Sequence, residues 1–472
     1  MTNRPATIGA LRASGYPQRT VKQEVAANAA ARLRAGESIL DGLVGFDGTV
    51  LPALETALLA GHDFILLGER GQAKSRILRS LVDLLDEEVP VVAGSETNDH
   101  PYHPFSAHAR ALIAEHGEDT PITWLGRQER FAEKLATPDI AVADLIGDVD
   151  PIKVAEGRYL SDELTVHYGL VPRHNRGIVA INELPDLAER IQVALLNVME
   201  ERDVQVRGYS LRLPLDLLVV ATANPEDYTN RGRIITPLKD RFGAEVRTHY
   251  PQRLAEEVSV MCQEAGAVGC AADPCMPPVI VPRFMSEVLA ALTRSLRAAP
   301  EVNQRSGVSV RFSTGNYQTL AGSAVRRALR TGEDRAVARP ADLVQVLSAG
   351  IGKLEFETFE EGREAEVLER LLRRALLEVF RRRTAGVDLS GLVSRFDEGL
   401  SVETGDLVSA DELLGQLDEV PGMGRLLTAL DVEEESPALA AAALEFALEG
   451  LHLSRKIDRA ELGPAVFRYK GA

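Results

Sequence analysis

Phe64-Ile65-Leu66-Leu67-Gly68-Glu69-Arg70-Gly71-Gln72-Ala73-Lys74-Ser75 runs straight into the stretch Arg76–Leu85. Four consecutive apolar residues read as a buried strand, and Arg76–Leu85 has the mixed apolar and polar pattern of a helix. Between them stand two glycines, a lysine and a hydroxyl, close to the spacing G-x-x-x-x-G-K-[ST] of loops that cradle phosphates. The sixth position is Ala73 rather than glycine, and a second glycine stands at Gly71. The physics survives the change. Gly68 and Gly71 let the backbone curl so that its N–H groups face anionic oxygens. The helix beginning near Ala73 adds its positive dipole end. Lys74 is then expected to reach the β- and γ-phosphates, and Ser75 to ligate Mg²⁺. A plain glycine turn with an exposed lysine is the competing interpretation.

A second apolar run, Gly177-Ile178-Val179-Ala180-Ile181, leads to Asn182-Glu183-Leu184-Pro185-Asp186. Hydrolysis of a nucleoside triphosphate needs an acid pair at such a strand end, one carboxylate to hold Mg²⁺ through its water shell and the next to polarise the attacking water. Glu183 suits the second task. Asn182 stands in the first place and is uncharged, although its carbonyl oxygen can accept a hydrogen bond from a metal-bound water. The missing charge predicts weak metal binding and slow turnover. Alternatively, Asn182 and Glu183 only cap a helix starting near Asp186.

Further strands are expected at Val91–Ala93, Leu217–Thr222 and Glu245–Arg247, alternating with helical patterns. That alternation predicts an α/β fold with a mainly parallel sheet covered on both faces. The order of domains expected is an N-terminal helical arm over 1–38, an α/β core over 39–252, a helical lid over 253–385 and a helical C-terminal extension over 386–472. In the lid, helices are expected at Phe284–Arg297, Thr314–Arg330, Pro340–Gly350 and Gly362–Arg383. The prolines of Asp273–Pro282 exclude regular helix there.

The chain has 472 residues, 45% hydrophobic and 26% charged, as in an ordinary globular protein. Its formal net charge is −17, from 70 acidic and 53 basic side chains, which disfavours nucleic acid as a partner. Cys262, Cys270 and Cys275 are too few and too odd in number for a disulfide framework. The N-terminus lacks the apolar core of a signal peptide, and no apolar run reaches the roughly 20 residues that cross a bilayer. A cytoplasmic location is expected, without membrane attachment.

These stretches together resemble the AAA+ ATPases of the MoxR and magnesium-chelatase subunit I clade. LPALETALLAGHDFILLGERGQAKS (Leu51–Ser75) is similar to the clade's entry to the phosphate loop, where alanine before the lysine is usual. NRGIVAINELPDL (Asn175–Leu187) resembles its Walker B segment, except that an aspartate normally stands where Asn182 does. The resemblance runs from about Ile39 to Leu347 and implies a P-loop NTPase core, ATP and Mg²⁺ as cofactors, and assembly into a homo-oligomeric ring, most simply a hexamer.

It also implies roles for further residues. In Leu217–Asn224 (LLVVATAN), Asn224 matches the sensor 1 position, where it would hold the attacking water or touch the γ-phosphate. Glu201–Leu213 (ERDVQVRGYSLRL) alternates like a hairpin turning at Gly208-Tyr209 and resembles the pre-sensor hairpin. Arg241, in PLKDRFG, matches the arginine finger that completes a neighbour's site, with Arg231 and Arg233 as rivals. Arg311, in GVSVR, resembles sensor 2. Gly147–Leu170 is similar to the helix-2 insertion.

The candidate site is thus Glu183, Asn224 and Arg241 for catalysis. Gly68 to Ser75 and Arg311 are expected to bind nucleotide, and Ser75 and Asn182 the metal. The implied activity is remodelling of a protein partner, with a von Willebrand A domain protein as the docking partner. The alternatives are the motor subunit of a magnesium or cobalt chelatase, a nucleotide-gated scaffold with little turnover, and a DNA-remodelling relative of replicative helicases. His100, His103 and His108 near Asp99 have a spacing open to zinc but sit in a proline-containing loop whose polar contacts account for them equally well. Trp124 reads as packing, and Arg381–Arg383 as a helix end suited to positive charge.

Overall fold

The computed structural model describes residues 4–149, 165–200, 203–206, 209–225, 233–266, 276–303, 307–357, 362–417, 420–432, 436–463 and 465–472. The chain divides into two compact units, Met1–His249 and Tyr250–Ala472.

The first unit is built on five strands: β1 (Phe64–Leu67), β2 (Phe131–Leu135), β3 (Gly177–Asn182), β4 (Leu217–Ala223) and β5 (Ala244–Arg247). Their order in the sheet is β5-β1-β4-β3-β2, and every neighbouring pair is parallel. All of β1 and all of β4 are buried, as expected of strands covered on both faces. Strand periodicity sorts alternate residues into two layers. Phe64, Leu66, Ile178, Ala180, Leu218, Val220 and Val246 pack with helices Val21–Ala35, Val50–Leu59 and Lys74–Ser80. Ile65, Val179, Ile181, Val219 and Ala221 pack with Ile191 and Leu195 of helix Glu189–Glu200 and with Leu238. Each fully buried Leu, Ile or Val contributes roughly 1.5–3 kcal/mol, so this double layer is what holds the sheet rigid.

The expected strand near Val91 forms as Glu88–Val92, but outside this sheet. It pairs antiparallel with Ile122–Gly126. The fifth place is taken by β2, which the sequence reading did not assign. The expected hairpin appears as Asp203–Val206 antiparallel to Tyr209–Arg212. Tyr209 belongs to the second strand rather than to the turn, and Gly208 lies outside the described residues. Gly147–Val149 pairs with Val166–Tyr168, and residues 150–164 of the expected insertion lie outside the described residues.

The second unit is mainly helical. Helices Leu254–Glu264, Arg283–Ala298, Val310–Thr331, Leu343–Gly350, Glu364–Arg383 and Pro437–Leu453 share one apolar core. Phe446 lies with its ring 4.7 Å from that of Phe284 and 6.0 Å from that of Phe380. Gly450 is required beside them, because a Cβ there would collide with the Phe380 ring. The tail after Arg383 was expected to be helical throughout. Instead it also holds a three-stranded antiparallel sheet, with Val466–Lys470 between Val402–Gly405 and Asp458–Gly463. Phe467 and Tyr469 are buried while Arg468 and Lys470 are exposed, a period of two that favours a strand. Among the described residues no helix is long and apolar enough to cross a membrane.

Candidate functional site

The carboxyl ends of β1, β3, β4 and β5 lie along one edge of the sheet, the place where open α/β sheets carry their sites. β1 delivers Gly68, β3 delivers Asn182 and Glu183, β4 delivers Asn224, and β5 delivers Thr248.

The loop after β1 curls through two left-handed residues, Gly71 (φ 78°) and Ala73 (φ 58°), on either side of Gln72. Such alternation turns successive N–H groups to one side and makes a concave anion nest. Ala73 thus does the conformational work of the expected glycine, at some cost in strain. Gln72 braces the curl, its Oε1 accepting from Glu69 N (3.0 Å) and Thr248 Oγ1 (3.0 Å). Gly68 must be glycine, since a Cβ would strike Thr248 Oγ1 and Gln72 Oε1. A groove of about 400 Å³ opens beside the loop, lined by Gly68, Glu69, Gln72, Lys239, Arg247 and Thr248 among others.

Lys74 starts the helix Lys74–Ser80 and is buried, only 8% exposed as a residue. Its ammonium donates to Gly68 O, to Glu69 O at 2.8 Å and to Asn224 Oδ1 at 2.7 Å. The next residue, Ser75, receives a hydrogen bond from Asn182 Nδ2 (3.3 Å). Asn182 Oδ1 in turn accepts from the buried Thr222 hydroxyl, which itself accepts from Glu183 N at 2.9 Å. Glu183 sits in the left-handed region (φ 59°), a sparsely populated conformation for a non-glycine residue. Lys74, Ser75, Asn182, Glu183 and Asn224 are therefore brought together by one set of contacts.

The other candidates lie on other elements. Arg241, last in the helix Thr236–Arg241, forms an exposed ion pair with Glu200. Of its rivals, Arg233 is exposed and Arg231 lies outside the described residues. Arg311 belongs to the second unit, in the first turn of the helix Val310–Thr331, where Ser309 Oγ accepts from its N–H at 3.1 Å.

In the histidine loop, Asp99 organises the backbone. Its carboxylate accepts from Phe105 N (2.7 Å), Ser106 N (2.9 Å), Ser95 Oγ (2.6 Å) and Thr97 Oγ1 (2.8 Å). His108 Nε2 meets Ala93 O at 3.0 Å, and His100 Nδ1 accepts from Tyr102 N at 3.0 Å. Those contacts close a loop rather than open a metal site. Trp124 packs edge-on to Tyr16 and donates its indole N–H to Pro5 O.

Thr222, Gln72 and Thr248 carry much of this geometry. Thr222 escaped notice because a β-branched residue inside LLVVATA reads as strand filler. A polar residue among the last two positions of an otherwise apolar buried strand was the signal.

Residues 128–243 match the model of the "ATPase family associated with various cellular activities (AAA)". That span holds β2 to the arginine-finger candidate and leaves the phosphate loop outside. The chain is 29% identical over 207 residues to magnesium-chelatase subunit ChlI of Anabaena variabilis, covering 43% of this chain and 56% of that protein. It is 31% identical over 188 residues to the chloroplastic subunit ChlI-1 of Arabidopsis thaliana, covering 38% of this chain and 40% of that protein. The chain thus spans about half the length of the curated relatives it matches. Among solved structures, it overlaps with the complex between subunits BchI and BchD of magnesium chelatase at a TM-score of 0.35 and 21% identity. That overlap covers 71% of this chain and 93% of the other.

Proposed function

Because the chain is an AAA+ ATPase of the MoxR and magnesium-chelatase subunit I clade, we propose that it binds Mg·ATP at Gly68–Ser75, hydrolyses it slowly, and couples the cycle to remodelling a protein partner. The observation that carries this reading is the meeting of Lys74, Ser75, Asn182, Glu183 and Asn224 at one sheet edge. Lys74 exchanges its carbonyl partners for phosphate oxygens, for which a buried ammonium has much the stronger affinity. The N–H groups around Gly71 and Ala73 orient the phosphate chain. Asn224 holds the water or the terminal phosphate, and the Glu183 carboxylate draws the proton side of that water away from the reacting phosphorus. Magnesium, when bound, neutralises charge developing between the β- and γ-phosphates. Ser75 would hold it. Asn182 contributes no charge to its shell, and for a cation that prefers carboxylate oxygens this supports slow turnover.

Arg241 is proposed to complete the site of a neighbouring subunit in a ring, most simply a hexamer. Its present pair with Glu200 is exposed at both ends, and such pairs are worth about 0–1 kcal/mol, so a neighbour's phosphate readily displaces it. Arg311 is proposed as the sensor of the γ-phosphate within its own subunit. A von Willebrand A domain protein is the proposed partner, in the cytoplasm. The names of the relatives favour a second reading, the motor of a magnesium or cobalt chelatase. Metal insertion into a porphyrin precursor that requires this chain would select it; insertion that proceeds equally without the chain would exclude it.

The core proposal is tested by calorimetry of ATP with Mg²⁺ and by phosphate release. Lys74→Ala should abolish binding, Glu183→Gln should bind but not turn over, and Asn182→Asp should turn over about tenfold faster than the wild type, the size of effect one added charge-assisted contact supplies. Wild-type turnover no faster than that of Glu183→Gln leaves a nucleotide-gated scaffold in place of a motor.

A further inference from the structure

We infer that Thr222 is a positioning residue that turns the Asn182 carboxamide so that its NH₂ end, not its oxygen, faces Ser75, and that this makes nucleotide binding by this chain nearly independent of magnesium. The inference rests on the nucleotide reading of Gly68–Ser75.

The backbone N–H of Glu183 is a fixed donor, and it reaches Thr222 Oγ1 at 2.9 Å. Thr222 is fully buried, and its hydroxyl owns one hydrogen. Its other partner among the described residues is the Asn182 side chain, 2.5 Å away. Glu183 N–H already uses the hydroxyl as an acceptor, and the hydroxyl's own hydrogen is left to donate to Asn182 Oδ1. The hydrogen therefore goes to the oxygen end of Asn182. A carboxamide is planar with donor and acceptor on opposite sides, so fixing the oxygen on Thr222 sends Nδ2 toward Ser75, where it lies 3.3 Å from Oγ. An aspartate in this place would accept from Thr222 with one oxygen and still offer the second to a metal-bound water. Asn182, locked as it is, offers that water a donor. The positive end of the amide dipole then faces the place that Ser75 would give a cation.

Strand register makes the lock. β3 and β4 pair in parallel with Ile181 opposite Ala221, so the next step sets Asn182 beside Thr222. Glu183 N–H meets the same hydroxyl, and its φ of 59° then turns the chain out of the sheet. Thr222 thus holds both the metal-side residue and the proposed base.

The test is the ratio of ATP dissociation constants in EDTA and in Mg²⁺, measured by calorimetry on the full chain. In the wild type the ratio should lie near one. Thr222→Val keeps the shape but removes the hydroxyl, releasing the amide to rotate its oxygen toward Ser75; the ratio should rise about two- to tenfold, the range of one hydrogen bond. Thr222→Ser retains the donor and should behave as the wild type, and Asn182→Asp should show the largest rise. Thr222→Ala carries the same expectation as Thr222→Val if the valine form does not fold. A merely structural Thr222 lowers the melting temperature and leaves the ratio alone, which overturns the inference, as does a wild-type ratio as large as that of Asn182→Asp. If Lys74→Ala binds ATP as the wild type does, the nucleotide reading itself has failed. If Lys74→Ala loses binding while Thr222→Val keeps the wild-type ratio, only the role of Thr222 falls.

Discussion

His100 stands in the loop that the sequence left open to zinc, and its surroundings point to a different role. Burial first, then the positive field of Arg176 and the neighbouring His103, push its pKa down to about 3. In the unfolded chain the imidazole titrates near its ordinary value of about 6.5. Between these two values the unfolded state takes up a proton that the folded state refuses, so stability rises with pH across that window and falls as acid is added. At pH 5 the deficit from this one residue is about 2 kcal/mol. Asp99 adds to the same trend at lower pH, because its pKa too is lowered on folding. Burial alone would raise its pKa, but hydrogen bonds from Ser106, Ser95 and Phe105 outweigh it and hold the carboxylate ionised. His100→Asn keeps an acceptor for Tyr102 N and removes the titration. Urea midpoints at pH 7.5 and pH 5 should show the wild type losing more stability than the variant on acidification. Equal losses would mean that His100 is protonated in the folded protein.

At the scale of the element, the helix Val21–Ala35 is fastened to the sheet by a buried ion pair. Glu24 takes Arg130 through two hydrogen bonds of 2.8 and 2.7 Å, and both side chains are almost wholly buried. Arg130 immediately precedes β2 and also donates to Arg176 O at 2.8 Å, just before β3, so one guanidinium ties the helix to two strand entrances. Removing one member of such a pair leaves an uncompensated buried charge. Glu24→Gln should destabilise the first unit by about 3–5 kcal/mol, whereas Glu24→Leu combined with Arg130→Met should recover most of it. Denaturant unfolding of the three forms decides the matter; a single variant as stable as the double one would remove the pair from the account.

Elements of this kind also mark what was legible in the sequence. β1, β3 and β4 were readable because FILL, GIVAI and LLVVAT are apolar on both faces, and only a covered parallel strand needs that. Phe131–Leu135 was not, because an edge strand tolerates charge, and FAEKL presents a Glu and a Lys at helical as well as strand spacing. The terminal strand VFRYK was hidden because it is short, its hairpin partner DRAELG is largely exposed and carries no buried apolar run, and its other partner, Val402–Gly405, lies far off in the chain. At the site, the phosphate loop and the Asn182-Glu183 pair stand in short local motifs and could be named. The contacts of Lys74 with Asn224 and of Asn182 with Thr222 depend on strand register, which no local window contains.

For the whole molecule, the decisive question is whether the site is finished within one chain. Arg241 and Glu183 are proposed to serve different active sites, the first in a neighbour and the second in its own subunit. In a ring built from head-to-tail contacts, each interface joins the Glu183 of one subunit to the Arg241 of the next. Arg241→Ala and Glu183→Gln should each lose hydrolysis when assembled alone. The loss from removing a guanidinium that steadies transition-state charge is on the order of a hundredfold or more. Mixed before assembly, the two variants create interfaces in which a sound Glu183 faces a sound Arg241, and phosphate release should return well above that of either variant. The same mixture diluted until rings dissociate should fall silent, while size-exclusion chromatography follows the oligomer. An Arg241 that serves only its surface pair with Glu200 predicts an active single variant and no complementation. Glu200→Ala separates these outcomes further: freeing the guanidinium should raise hydrolysis if Arg241 crosses the interface, and should leave hydrolysis unchanged and lower only thermal stability if it does not.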